Sequence, residues 1–165
     1  MALFSNKQEA NLRSCVQMIE DVIRSLGHSP EETRIEPAGA MPAWRMRNGS
    51  ALVTVALAPG GDDVLQENIL QVSAPVLILD VNVNRLALFR HLLELNATAV
   101  RGMAFGLERD HVVLVGERST VDLDLSEVHE LVQKVEDYAD HYDDALVAEF
   151  GGQRAGDADP SALNR

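Results

Sequence analysis

The sequence predicts an α+β fold in which one antiparallel, twisted sheet is packed by a first and a last helix. Three observations predict it. Apolar residues recur at helical spacing near both ends of the chain, and two hairpin signals lie between them. A third, shorter helical pattern interrupts the strands around residues 84–96. With 165 residues, the chain can bury the core such a domain needs. Aromatic residues are only 4%, so that core is expected to consist mostly of Val, Leu, Ile and Ala.

The first helix is expected over Asn6 to Leu26, where Leu12, Val16, Ile19, Ile23 and Leu26 share one face. Gly27 and Ser29-Pro30 end it. Residues 28–42 are turn-rich, with room for a short strand at Thr33 to Glu36. Trp44-Arg45-Met46-Arg47 alternates, Asn48-Gly49 follows, and Ala51 to Leu57 is rich in strand-forming residues. That pattern predicts a tight hairpin with positive φ at both Asn48 and Gly49. Pro59-Gly60-Gly61-Asp62-Asp63 reads as a turn, since its aspartates would repel a phosphate. Glu67 to Leu79 reads as one extended element, interrupted at Ser73-Ala74-Pro75, with Pro75 at an edge or bulge.

From Asn84 the period changes to helical. Asn84 is the expected cap, Leu86, Phe89, Leu92 and Leu93 the apolar positions, and Asn96 the left-handed stop. Met103 to Leu107, a turn at 108–111, and Val112 to Val115 running on towards Ser119 form the second hairpin. Asp124 three residues before Glu127 has capping-box spacing, with Ser126 as a competing cap. The last helix runs from about Ser126 to Phe150, and Gly151-Gly152 ends it. One domain is expected over 1–152, followed by a disordered tail at 153–165.

Composition narrows the function. The net charge is -12, and residues 59–165 carry the whole excess, with eight basic against twenty acidic side chains. Such a body repels phosphate backbones, so no nucleic-acid partner is expected. The N-terminus lacks the long apolar run of a signal peptide, and no segment is long enough to span a bilayer, so no membrane partner is expected. One cysteine, Cys15, precludes an internal disulfide and fits a cytoplasmic protein; it reads as a buried thiol rather than a nucleophile.

Chemistry-bearing motifs are sparse. His28, His91, His111, His129 and His141 form no metal-ligand pair at helical spacing. His141 lies among Glu136, Asp137, Asp140, Asp143 and Asp144, which reads as a solvated acidic helix face. Arg45 and Arg47 flank the one tryptophan and read as the charged protection of an edge strand, with an anion-binding or cation–π role as the sharper alternative. No nucleophile elbow, dinucleotide fingerprint or P-loop is present. The expectation is therefore a protein without catalytic residues, cofactor or metal.

The chain resembles the YbjN family and the class I type III secretion chaperones, whose Tir chaperone-like fold has the same order of helix, three strands, helix, two strands, helix. Leu92 to Asn96, Gly102 to Leu107, Leu123 to Glu127, Ala139 to Asp144 and Phe150 to Gly152 carry the likeness. The resemblance implies a non-catalytic chaperone, a homodimer on which an extended protein or peptide client lies. Candidate client-binding residues are Val53, Val55, Leu57, Val16 and Ile23, with core burial as the competing reading. Leu86, Phe89 and Leu93 are the candidate dimer contact. Two alternatives stay open: a regulatory adaptor for a folded partner, and a small-ligand-binding domain with a deep polar pocket.

Overall fold

The computed structural model describes residues 2–36, 41–59 and 68–158. The turns expected at 37–40 and the loop at 60–63 lie outside the described residues, as does the tail beyond Ala158. The elements are α1 (Ala2–Ser25), α2 (Pro30–Thr33), β1 (Arg34–Ile35), β2 (Ala43–Asn48), β3 (Ala51–Pro59), β4 (Asn68–Ile78), α3 (Arg85–Thr98), β5 (Met103–Glu108), β6 (His111–Ser119), α4 (Leu125–Phe150) and β7 (Gln153–Arg154). A single 3-10 turn, Ala155–Asp157, follows. The fold is α+β, an open antiparallel sheet packed by helices, with strand order β1-β2-β3-β4-β6-β5 and β7 paired to β4.

By contact the chain divides into two compact units. The first comprises Met1–Met46, Thr54–Val72 and Glu117–Val132. Its core holds Ile19, Val22 and Ile23 of α1, Trp44, Val55, Leu57, Leu70, Val72, and Val128, Leu131 and Val132 of α4. Asn11 of α1 donates its side-chain amide to the Thr120 carbonyl at 3.1 Å, and Thr120 donates both N–H and hydroxyl to the Asn68 carbonyl. The α4 start is a reciprocal capping box. The Glu127 N–H donates to Asp124 Oδ1 at 2.9 Å, and the Asp124 N–H donates back to Glu127 Oε2 at 3.3 Å. Ser126, the competing cap, instead donates its hydroxyl to Asp124 at 2.6 Å. These bonds hold the Asp124 carboxyl below its usual pKa, the Ser126 hydroxyl contributing most.

The second unit comprises Arg47–Val53, Ser73–Gly116 and Gln133–Arg165. Val53, Val76, Leu77, Leu88, Val112, Leu114, Val135 and Leu146 form its buried centre. β5 and β6 pair from Met103↔Gly116 to Glu108↔His111 around a two-residue turn in which Arg109 takes a left-handed φ of 55°. Phe105 meets Tyr142 of α4 edge-on at 5.3 Å.

Several local expectations are corrected. At the first turn only Gly49 has positive φ; Asn48 stays in the strand, so one left-handed residue suffices. β4 runs unbroken through Pro75, and its place between β3 and β6 makes it an interior strand rather than an edge. Proline's fixed φ suits an extended strand, and only its missing N–H has to be accommodated. α3 does not stop at Asn96 but continues to Thr98. Gly151-Gly152 do end α4, with φ of 80° and 87°, yet the chain then stays ordered through Ala158. β7 pairs with the end of β4, Leu77↔Arg154 and Ile78↔Gln153.

Gly152 and Gly156 are the tight points of that return, and Gly152 also has a left-handed φ. A Cβ on Gly152 would lie 2.7 Å from the Ile78 carbonyl and 3.0 Å from Leu77 Cδ1. Gly152→Ala is therefore expected to lose about 1–3 kcal/mol in urea unfolding. Gly27→Ala, with similar φ but nothing within 4 Å, should lose less. Equal losses would mean that close packing at Gly152 contributes nothing.

Candidate functional site

The α3 helix is the most unusual surface. Asn84 caps it, its Oδ1 accepting from the Ala87 N–H at 3.2 Å, as the sequence predicts. Leu88 and Leu92 point inward and are buried, and the helix packs on β5. The opposite side is also apolar. Leu86 is 84% exposed and Leu93 68%, seven residues apart and so on one helical face. Phe89 between them is half-buried. Nearby in sequence, Val81 is exposed, and Leu107 of β5 is half exposed. Arginines on the helix are answered locally, Arg90 by Glu94 at 2.9 Å and Arg85 by Asp110 at 3.2 Å.

The backbone of β5 beside this helix is closed at its centre. Asn96 donates its side-chain N–H to the Phe105 carbonyl at 3.1 Å and accepts from the Phe105 N–H at 2.7 Å. One side-chain amide thus makes both bonds that a neighbouring strand would make. It covers a strand edge that could otherwise template pairing with another chain. Its role was invisible in the sequence because its partner lies nine residues away, across the turn into β5.

The second closure is the C-terminal return. Ala155 is fully buried, and Arg47 donates to the Gly156 carbonyl at 2.8 Å. Arg154 donates from Nε and Nη2 to the buried Asp143 carboxylate, at 3.2 and 2.9 Å, and pairs with Asp144 at 3.1 Å. Removing Arg154 would leave the Asp143 charge buried without this partner, a costly arrangement.

The remaining sequence candidates fall as follows. Val53, Val55, Leu57 and Ile23 are buried in the core, and Val16 is half-buried. Their alternation and helical spacing reflect inward-facing positions, so in this conformation those four form no presented surface. Cys15 is buried and its pKa is raised by desolvation, which keeps the thiol protonated at neutral pH. Trp44 carries a cation over its ring, but it is Arg34 at 5.4 Å rather than Arg45 or Arg47. Arg45 donates to Thr54 at 3.2 Å. Among the described residues the Trp44 indole N–H is buried without a hydrogen-bond partner. His141 packs its ring edge-on to Tyr142, and no described cluster of three His, Cys, Asp or Glu is arranged to hold a metal.

The first unit has a groove that sequence reading missed. Asp21, Val22 and Ser25 of α1 line it with Asp124, Leu125, Ser126, His129 and Glu130 at the start of α4, around a volume of about 640 Å³. Only tertiary contact brings residues 21–25 beside 124–130.

The chain matches the family described as T3SS (YopN, CesT) and YbjN peptide-binding chaperone 1 over residues 13–158, and it belongs to that family. Several solved structures share the fold, two of them as follows. A chain of the crystal structure of the ExsC-ExsE complex superposes with a TM-score of 0.60 at 18% identity, covering 81% of this chain and 94% of that one. A chain of the HopA1-SchA chaperone-effector complex gives 0.54 at 14%, covering 82% and 97%. A comparison with curated proteins gives no match. Among the described residues no helix is long and apolar enough to cross a membrane.

Asn96→Ala is expected to speed hydrogen exchange at the Phe105 amide and cost about 1 kcal/mol of stability. Asn96→Asp keeps the acceptor for that N–H and should exchange more slowly than the alanine variant. Unchanged exchange at Phe105 in the alanine variant would show that the edge is not closed by this side chain.

Proposed function

We propose that this chain is a non-catalytic chaperone that binds extended segments of client protein and works as a homodimer joined through α3. The peptide-binding family match over residues 13–158 supports the client class, as does a fold shared with a chaperone-effector complex. The observation that carries the dimer is the exposed leucine face of α3. The proposed setting is the cytoplasm, in keeping with a single, buried cysteine.

Magnitudes limit the form of the dimer. Burying a leucine side chain contributes roughly 1.5–3 kcal/mol. Leu86 and Leu93 from two copies would contribute about 6–12 kcal/mol together, against an association cost of about 4–15 kcal/mol. Four leucines therefore barely offset association. A stable dimer has to recruit Phe89 and the half-exposed Leu107 as well, and its population should depend on concentration. Asn96 disfavours backbone pairing at the centre of β5, so the contact is made by side chains.

Two measurements test the reading. Sedimentation equilibrium should show a concentration-dependent dimer, and a Leu86→Asp/Leu93→Asp double variant should be monomeric with unchanged circular dichroism. A monomeric wild type at high micromolar concentration, or a folded variant that still dimerises, would refute the α3 contact. In calorimetric titration the protein should bind a permanently unfolded, cysteine-alkylated test protein saturably and ignore its native form. Binding to neither would remove the chaperone reading.

A further inference from the structure

We infer that the groove between the C-terminal half of α1 and the first turns of α4 receives an apolar client side chain flanked by lysine or arginine. The inference rests on the chaperone reading above and adds the chemistry of the client. The volume, about 640 Å³, falls within the range of sites that take a compact ligand group. Its apolar wall is Val22, nearly covered at the base, and Leu125, which is 50% exposed at the rim. Val121, four residues before Leu125, is equally exposed.

Carboxylates dominate the charge of that wall. Asp21, Asp124 and Glu130 line the groove, and its lining holds no lysine or arginine among the described residues. Arg24 stands just outside, 2.9 Å from Asp21 and 3.4 Å from Glu20, and Glu130 has an interaction of its own, so part of the rim is already answered. Asp124 cannot readily be neutralised by protonation, because the bonds of the capping box favour its charged form. The capping box also engages the Glu127 amide in the first turn of α4.

This polarity selects the occupant. A second copy of the chain, with a formal charge of -12, would bring more carboxylates to an acidic groove. The leucine face of α3 differs, since its arginines and carboxylates alternate and cancel locally. The two surfaces therefore suit different guests: a second copy on α3, and a basic, apolar client segment at the α1–α4 groove.

Two peptides of equal length and equal apolar content, one with lysines flanking a central leucine and one with glutamates, provide the test. Each is titrated into the full chain while backbone amide shifts are followed. The lysine peptide should shift Val22, Leu125 and His129 and bind about tenfold more tightly than the glutamate peptide at low salt. Asp21→Asn/Glu130→Gln, which spares the cap, should shrink that preference, and so should added salt. Equal binding of both peptides, or shifts confined to other surfaces, would overturn the groove inference while leaving the chaperone reading intact. Binding of an unfolded protein without any binding of the lysine peptide would overturn it too. If the unfolded protein also failed to bind, both readings would fall together.

Discussion

The constraint that dominates the surface of this protein is an excess of apolar area on α3. Leu88 and Leu92 are enough to seat the helix, yet Leu86 and Leu93 face the other way into solvent. Apolar area in water costs about 25 cal/mol per Å² relative to burial, and a helix needs no outward leucines to stay soluble. A face of this kind usually marks contact with another chain. The fold itself needs nothing from these two positions.

Two stretches of strand backbone in the same unit are closed. Asn96 acts as a substitute strand for Phe105, and β7 covers the end of β4, held by Arg154 on a buried Asp143. A chain whose role is to hold sticky segments runs the risk of pairing with them edge to edge. Closing edges with side chains and a short return strand lowers that risk while leaving side-chain surfaces available. Binding would then be governed by apolar fit and charge rather than by the ladder pairing that any extended chain could offer.

Features set by neighbours in sequence were legible in the residues alone. The Asn84 cap, the Asp124–Glu127 box and the helix stop at Gly151-Gly152 each depend on residues within a few positions. Both hairpins and the strand-helix order were legible for the same reason. Val53, Val55 and Leu57 show the limit: alternation says that they share a face but not whether something covers it, and the core does. Asn96 looked like a helix stop because Asn suits left-handed ends, but its side chain found Phe105 instead. The order at 153–158 comes from a few specific contacts of Arg154, Ala155 and Gly156 in a segment of polar, small-residue composition. The groove joins residues a hundred positions apart, which no local pattern encodes.

Leu86 and Leu93 are expected to be covered by polypeptide when the protein works. Methyl relaxation by a soluble nitroxide probe measures this directly, with the methyls of buried Leu88 and Leu114 as internal references. At dimer-forming concentration the Leu86 and Leu93 methyls should relax nearly as slowly as those references, and become fast on dilution. Fast relaxation at every concentration, with and without a bound unfolded chain, would contradict that expectation.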